Sequence, residues 1–253
     1  MDMCTHQLQE QDPRQNQLLA ALPADVLRRL QPHLEPVALQ LGQVLCGAGS
    51  TPVFAHFPTT AIVSLMYLTR EGASAELAVV GHDGVVGIAL FTGGNATPSE
   101  SVVHGAGWAY RLSAVAMKRE VGLSGSVLAQ MLGYTEALMV QVAQTALSHR
   151  YQSIDQLLCR RLLMALDRSD SDELALTHEL LANLLGVRRE GITAAALRLQ
   201  QEGAISYSRG RITVLDRSQL RRGTQAPQPR AKPVAVRLAS RASRQLGPMA
   251  LCA

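Results

Sequence analysis

The chain has 253 residues, with 24 Lys and Arg against 20 Asp and Glu and 47% hydrophobic residues, a length that suits one large domain or two small ones. No stretch approaches the roughly 18 to 20 unbroken apolar residues of a membrane helix, and the amino terminus lacks a basic-then-apolar order. The four cysteines Cys4, Cys46, Cys159 and Cys252 are scattered without a C-x-x-C pair. The composition therefore disfavours membrane and secreted proteins, zinc knuckles, iron–sulfur sites and disulfide frameworks, and it predicts a cytoplasmic, metal-free protein.

The net charge of +4 is unevenly distributed along the chain. Residues 1–153 carry 8 basic and 11 acidic side chains (−3), residues 154–222 carry 11 and 9 (+2), and residues 223–253 carry 5 and 0 (+5). The positive excess thus lies in roughly the last hundred residues, which indicates a polyanionic partner for the carboxy-terminal part. A solvated basic surface would give the same distribution, so charge alone does not decide between them.

The amino-terminal half reads as a β-rich domain. Residues 1–15 are polar and predicted to be disordered, and two short helical pieces follow from Asn16, the second opened by Pro23. Short apolar runs then recur at 8- to 12-residue spacing, which predicts a β-roll or sandwich over residues 16–123. The predicted strands are 37–41, 53–57, 61–68, 75–80, 85–91, 101–104 and 109–112.

A long helix is predicted over residues 124–150, followed by a hinge at 148–153. One mostly apolar stripe along this helix follows alternating three- and four-residue steps: Leu128, Met131, Thr135, Leu138, Val142, Thr145 and His149. Leu132, Met139 and Ala146 lie beside this stripe and widen it. Such a stripe packs either on the helix's own β-domain or on a partner helix in a dimer. Since about 25 residues span roughly 37 Å, more than a small roll can cover, the length favours a homodimer. A capping box, Ser153 to Gln156, begins the next helix.

The segment from Thr177 to Glu202 has the pattern of a helix-turn-helix. Thr177 caps a helix whose leucines face a core, and Gly186 supplies the left-handed residue that ends it. A second helix is predicted from Arg188 to Glu202. Two alternating strands then flank Arg209 and Gly210, which predicts a hairpin with a basic tip.

Together these elements predict a winged-helix DNA-binding domain over residues 151–222, followed by a basic disordered tail at 223–253. The exposed start of the second helix carries Arg188, Arg189, Glu190 and Thr193. Arginine can donate two parallel hydrogen bonds to guanine, and glutamate can accept one from the cytosine amino group. We therefore predict base contacts from this row and phosphate contacts from the wing. The alternative for Glu190 is a merely favourable charge at a helix amino terminus.

Over residues 16–222 the sequence resembles the Crp/Fnr superfamily of bacterial transcription regulators. The most specific match is Leu184-Leu185-Gly186-Val187-Arg188-Arg189-Glu190, followed by Leu197-x-Leu199-x-x-x-Gly203-x-Ile205 and Gly210-Arg211-Ile212. The resemblance implies an α+β fold: an amino-terminal β-roll sensor of the cyclic-nucleotide-binding type, a dimerisation helix and a carboxy-terminal winged helix-turn-helix. It also implies a homodimer on a near-palindromic operator in double-stranded DNA. It implies that Arg189 and Glu190 read bases. Together with the recognition helix and the wing, the predicted DNA-binding residues are Thr177, Arg188, Arg189, Glu190, Thr193, Arg209 and Arg211.

Two departures from the family pattern concern the target and the effector. The family often has a second arginine four residues after the glutamate, where this chain has Ala194, so a shared target sequence is not implied. In the cyclic-nucleotide binders a glutamate holds the ribose and an arginine holds the phosphate. Here Ile88 stands at the glutamate position, and no Arg or Lys occurs between Glu71 and Trp108. We therefore predict that cyclic AMP does not bind, and we predict no cofactor and leave the effector unknown.

Other readings have less support. Haem would need an axial ligand, for which His33, His56, His82 and His104 are candidates, although a lone histidine is usually a loop or core residue. A nucleotide-using enzyme built on the glycine-rich residues 81–94 lacks both a G-x-G-x-x-G motif and a P-loop, so no enzyme is predicted. A non-DNA-binding interaction protein is disfavoured by the intact arginines. The acidic loop from Asp167 to Glu173 either faces RNA polymerase or is simply solvated.

Overall fold

The computed structural model describes residues 12–70, 74–94, 96–169 and 171–224. The helices are α1 (Gln17–Ala20), α2 (Ala24–Leu30), α3 (Ala89–Thr92), α4 (Ala114–Leu123), α5 (Gly125–Tyr151), α6 (Ile154–Leu166), α7 (His178–Leu185), α8 (Arg189–Gln201) and α9 (Arg217–Gly223). The strands are β1 (Glu35–Leu39), β2 (Val44–Cys46), β3 (Phe54–Pro58), β4 (Ile62–Leu68), β5 (Ser74–Val80), β6 (Glu100–Gly105), β7 (Gly107–Ser113), β8 (Glu173–Leu174), β9 (Ile205–Ser208) and β10 (Arg211–Val214). The predicted α+β class is confirmed.

Two antiparallel sheets form the amino-terminal roll. One has the strand order β1-β7-β3 and the other β2-β6-β4-β5. Small and β-branched side chains fill the space between them because alternate residues of each strand point inward. These buried residues are Leu39, Ala61, Val63, Val80, Val86, Val103 and Ala109. The roll and its seven strands lie where the sequence placed them, with two exceptions described below.

Buried Asn16 fastens the amino-terminal helices to the roll. Its side-chain oxygen caps α1 by accepting from the amides of Leu18 and Leu19, at 3.1 and 3.2 Å. Its amide nitrogen donates to the carbonyls of Pro58 and Gly84, at 2.9 and 2.8 Å. With every polar atom used, a fully buried asparagine is stable here.

The long helix α5 has 27 residues and presents two apolar faces. Val127, Met131, Tyr134 and Leu138 are buried in the core that the helix shares with the roll. A second stripe, Leu132, Met139, Ala143, Ala146 and Leu147, is exposed in the chain as it stands. The predicted stripe thus divides: Met131 and Leu138 pack on the chain's own roll, whereas Leu132, Met139 and Ala146 do not. A second apolar face on a helix of about 40 Å is typical of an interface with another helix.

The carboxy-terminal domain has its own core, built from α6, α7, α8, α9 and the three-stranded sheet β8-β10-β9. The capping box at Ser153 and Gln156 is confirmed at the start of α6. Small residues let the helices approach closely, and Ala182 and Ala195 are both buried. A side chain at Gly191 would lie 2.7 Å from Ile154, so α8 and α6 nearly touch.

Three contacts join this domain to the β4–β5 side of the roll. Arg161 of α6 lies 2.9 Å from the Glu76 carboxylate of β5, measured from Nε to Oε1, and both side chains are buried. Arg168 grips Asp83 with two hydrogen bonds, at 2.7 and 3.2 Å. The hydroxyl of Ser74 donates to a backbone carbonyl in α7 at 3.4 Å. Ion pairs and hydrogen bonds, as well as apolar contacts, therefore connect the roll to the winged helix.

Several sequence predictions need correction. Residues 85–91 are not a strand: Val86 forms only an isolated bridge with His56, and α3 begins at Ala89. Gly87 and Gly93 adopt positive φ on either side, which interrupts extended structure. The strand β2 was missed. Pro13–Gln15 form a 3-10 turn, so part of the segment expected to be disordered is ordered, while residues 1–11 lie outside the described residues.

At the other end of the chain, Gly223 completes α9 and does not begin the tail. The predicted tail beyond Thr224 lies outside the described residues. In the part of the chain that the structure describes, no helix is both long enough and apolar enough to span a bilayer.

Candidate nucleic-acid interface

The helix-turn-helix is positioned by two local signals. The Thr177 hydroxyl accepts a hydrogen bond from the amide of Leu180 at 3.1 Å, which caps α7. Gly186 ends that helix with φ of 59°, in the left-handed region where residues with a Cβ are strained. Val187 then packs against the domain core, and the chain enters α8 through Arg188.

One face of α8 is buried and the opposite face is open. Ile192, Ala195, Ala196 and Leu199 fasten the helix to the domain core. The predicted contact residues of α8 are all exposed, and they occupy its first turn and a half: Arg188, Arg189, Glu190 and Thr193. Neither Arg188 nor Arg189 makes an ion pair with any residue in the described ranges. Their guanidinium groups are therefore available to an external acceptor.

The wing is a two-residue hairpin that carries a basic tip. Arg209 and Gly210 join β9 to β10 with φ of 48° and 78°. Two positive φ values are typical of the type I′ turn, whose twist suits a tight hairpin. Arg209 is exposed and has no ion-pair partner among the described residues. Its φ is uncommon for a residue with a side chain, so the hairpin holds Arg209 in a strained conformation at the tip of the domain.

Two of the predicted contact residues have structural roles as well. Arg211 forms an ion pair with Glu173 of the adjacent strand β8, so its charge is partly neutralised within the domain. Thr177, besides capping α7, lies against the wing: a side chain at Gly210 would come within 3.2 Å of the Thr177 methyl group. Arg211 and Thr177 therefore have less freedom to meet DNA than Arg188, Arg189 and Arg209.

A contact that sequence reasoning missed joins the helix-turn-helix to the wing. The His178 ring stacks on Tyr207 of β9, with ring centroids 4.1 Å apart, and its Nδ1 lies 3.1 Å from the Thr193 hydroxyl. That hydroxyl also donates to the Arg189 carbonyl. Burial, followed by the charge of Arg189, lowers the pKa of His178. A neutral His178 therefore holds α8 and the wing in register, and no spacing pattern in the sequence signals it.

The acidic loop is held within the domain as well. Glu173 pairs with Arg211, and Asp167 lies 3.9 Å from Arg217. Arg168, near the start of the loop, forms an ion pair with Asp83 of the roll.

The loop that would hold a cyclic phosphate has no basic residue. Ile88 is partly buried against the roll core, and Tyr134 of α5 packs directly on Gly84, where an added Cβ would lie 2.6 Å from the Tyr134 hydroxyl. The described residues 93–94 and 96–99 include neither Arg nor Lys. The local structure here is apolar packing between the roll and α5.

The histidines considered as haem ligands do not gather into a site. Burial lowers the pKa of both His56 and His104 to about 4, so both are neutral at pH 7. His33 is exposed and His82 is partly exposed, in separate loops. Within the described ranges no three His, Cys, Asp or Glu side chains lie close enough together to hold a metal ion.

Comparison with known proteins agrees with the helix-turn-helix described above. Residues 156–223 match the Crp-like helix-turn-helix domain family. No curated protein matches the sequence. FixK2 of Bradyrhizobium japonicum is similar in structure, with a TM-score of 0.66 and 14% identity, over 77% of this chain and 99% of FixK2.

Two further solved structures have the same architecture. A CRP-family transcriptional regulator of Thermus thermophilus is 18% identical with a TM-score of 0.63, over 75% of this chain and 96% of its own. The c-di-GMP responsive global regulator CLP of Xanthomonas campestris is 14% identical with a TM-score of 0.60, over 77% and 100%. Residues 156–223 therefore belong to the Crp-like helix-turn-helix domain family, and the fold of the chain resembles that of these regulators.

Proposed function

We propose that this protein is a sequence-specific, homodimeric DNA-binding transcription regulator and not an enzyme. The observation that carries the proposal is the exposed row of Arg188, Arg189 and Glu190 at the start of α8, within a Crp-like helix-turn-helix domain. These three side chains form no ion pair with other residues that the structure describes. Such a helix enters the major groove with its first turns against the base edges. The proposal places the protein in the cytoplasm, with the DNA.

The chemistry of this row suits base reading. A guanidinium group donates to O6 and N7 of guanine in a planar, two-bond arrangement, and a carboxylate accepts from the cytosine amino group. Glu190 would be repelled by phosphates, so a place beside two arginines at the helix start is best explained by a base contact. Ala194, on the next turn of the exposed face, adds no hydrogen bond and leaves room for a base methyl group.

The exposed stripe of α5, from Leu132 to Leu147, supports a symmetric dimer. A second copy could pack its own stripe against this one, with the two helices related by a two-fold axis. That contact would bury these side chains in both copies. Two winged helices related by this axis would meet two half-sites about one helical turn apart. The operator would accordingly be an inverted repeat.

Selection from a pool of random duplexes tests this proposal. Purified full-length protein should enrich an inverted repeat whose half-site centres lie about 10 base pairs apart. Recovery of sequences with no shared motif, at salt concentrations where DNA is retained, would show that binding is non-specific and would overturn the proposal. A parallel selection with added cell extract tests for an effector, which would change the yield of the same motif.

We expect Arg209→Ala to reduce the salt dependence of DNA binding. Each phosphate contact contributes about −0.9 to the slope of log affinity against log salt concentration, so losing both wings of a dimer should make the slope shallower by about 2. Arg28→Ala is the matched control, because Arg28 is exposed on α2, remote from the winged helix. Fluorescence anisotropy between about 50 and 200 mM salt measures both slopes. Equal slopes for Arg209→Ala and wild type would remove the wing from the interface.

We further propose that the roll does not bind cyclic AMP. An unneutralised cyclic phosphate would have to be buried beside Ile88 and the uncharged loop that follows α3, without a guanidinium partner. Isothermal titration with millimolar cyclic AMP should therefore give only the heat of dilution. A saturable heat would refute this, and a charged partner would then have to come from elsewhere in the chain or from a second copy.

A signal received by the roll would reach the winged helix through the contacts that join them. The break between α5 and α6, at Gln152 and Ser153, is the point about which the domain could reorient. The ion pairs Arg161–Glu76, from within α6, and Arg168–Asp83, from just after its end, connect the two domains. The two internally paired carboxylates of the acidic loop favour a structural role for that loop over a contact with RNA polymerase.

A further inference from the structure

We propose that the cleft between the carboxyl end of α5, one face of α6 and strand β5 binds a small oxyanion, a phosphate or carboxylate group. The cleft is defined by its lining residues: Glu76, Thr145, Ser148, His149, Leu157, Arg160, Arg161, Met164, Leu184 and Leu185. The cleft is partly open to solvent, and the space within it is small, about 20 Å³, which is room for one or two water molecules. No contact predicted for DNA lies in it.

The first argument is a buried guanidinium group that is only partly satisfied. The Arg161 side chain is 2% exposed and faces Glu76 through its Nε. Its Nη1 is also buried, yet it has no hydrogen-bond partner within the described part of the chain. A guanidinium group has five N–H donors, and leaving one of them unpaired away from water is costly. An oxyanion in the cleft would accept from this group.

The second argument is the surplus of positive charge. Arg160 lines the same cleft, half-buried, and forms no ion pair with the residues that the structure describes. Burial lowers the pKa of Arg160, and burial followed by the charge of Arg160 lowers the pKa of His149. Two guanidinium groups thus face one carboxylate, Glu76, with a neutral His149 beside them. A bound anion would relieve this imbalance.

The chemistry of the lining limits the ligand. Two guanidinium groups on one helix can grip a planar carboxylate or a tetrahedral phosphate, and the Ser148 hydroxyl lies beside them. The Thr145 hydroxyl, also in the lining, already donates to the Gln141 carbonyl at 3.0 Å. Leu157, Met164 and Leu184 form the apolar wall of the cleft. The ligand class is therefore a small oxyanion, either free or as the charged end of a molecule whose remainder lies outside the cleft.

The position of the cleft gives the site a regulatory consequence. An anion that engages Arg161 would compete with Glu76, and so would alter one of the ion pairs that hold the winged helix against the roll. Binding would act on the break between α5 and α6 without occupying the cyclic-nucleotide position of the roll. This inference does not require that the protein bind DNA.

Isothermal titration of the full-length protein with inorganic phosphate, and separately with acetate, tests the inference at constant ionic strength. Saturable binding of at least one anion is expected, weakened about tenfold or more by Arg160→Gln, which removes one charge-assisted hydrogen-bonding group. Arg28→Gln, an exposed arginine far from the cleft, should bind like wild type. Arg160→Lys should recover part of the affinity, since it restores the charge without the planar fork.

Two results would overturn the inference. One is the absence of saturable binding of both anions at tens of millimolar. The other is equal affinity in wild type and Arg160→Gln. Equal affinity would mean that the anion binds elsewhere, for example at the start of α8, where a change on α6 has no effect. Should Arg160→Gln fail to fold, His149→Ala removes a ring N–H donor from the same cleft at a more exposed position and is expected to weaken binding in the same direction. Unchanged binding in that variant would count equally against the site.

Discussion

We expect Glu76→Gln to lower the free energy of unfolding by about 3–5 kcal/mol, because it leaves the buried Arg161 guanidinium without its counter-charge. The two side chains are among the most buried charged groups of the molecule, and the hydroxyl of Ser64 also donates to the Glu76 carboxylate. Urea unfolding followed by circular dichroism measures the loss. The destabilisation should be accompanied by a looser contact between the winged helix and the roll, since the pair joins β5 to α6.

Two matched variants show whether burial is the cause. Glu35→Gln removes the carboxylate of an exposed pair with Arg111 and should cost only about 0–1 kcal/mol. Combining Glu76→Gln with Arg161→Met replaces the stranded charge by an apolar side chain, and should recover most of the lost stability. If Glu76→Gln proves no more costly than Glu35→Gln, the pair does not hold the two domains together.

We expect Met139→Glu to convert a dimer into a monomer. Met139 is 68% exposed in the single chain and lies at the centre of the α5 stripe, where a second helix would surround it. Burying a glutamate without a partner is unfavourable, so the variant side chain opposes the helix–helix contact. The two-fold axis would also place the two glutamates, one from each protomer, opposite each other, and their charges would repel. Size-exclusion chromatography with light scattering should give twice 27.2 kDa for wild type and 27.2 kDa for the variant.

The loss of the dimer should also weaken operator binding. With only one winged helix tethered to each molecule, affinity for a two-half-site operator should fall by about 10²- to 10⁴-fold. Val115→Glu is the matched control, because Val115 is 78% exposed on α4 and lies outside the stripe. A wild-type protein that is monomeric at micromolar concentration, or a Met139→Glu variant that stays dimeric, would contradict the proposed interface.

The helix-turn-helix could be predicted from sequence because its signals are local. The hydroxyl cap at Thr177 and the left-handed Gly186 define α7 to within a residue, and the apolar period of α8 identifies its buried face. The wing is equally local, since Arg209 and Gly210 separate two alternating strands. In each case the residues that specify the element are those that form it.

Predictions that depended on how one element packs against another were less successful. The apolar period of α5 cannot distinguish the face that covers the roll, with Met131 and Leu138, from the face that stays open, with Met139. The run from Val85 to Phe91 is as apolar as a buried strand, and only the surrounding fold shows that Gly87 interrupts it with a positive φ.

The side-chain contacts between elements could not be predicted either, because they too depend on tertiary packing. Glu76 and Arg161 belong to different domains, and neither residue type is expected in a core, so no pattern links them. The stack of His178 on Tyr207 depends on the crossing of a helix and a strand that are separated by the whole of α8. Both contacts arise only when the tertiary packing is known.

The assignment of α8 as the base-reading helix is tested by comparing the operator preferences of wild type and Arg189→Ala in the same selection from random duplexes. If Arg189 grips a guanine, the variant should bind the wild-type operator about 1–3 kcal/mol more weakly and lose its preference at one base pair of each half-site, with the other positions retained. Arg28→Ala, remote from the interface, should reproduce the wild-type motif. A variant motif identical to wild type at every position would contradict the assignment.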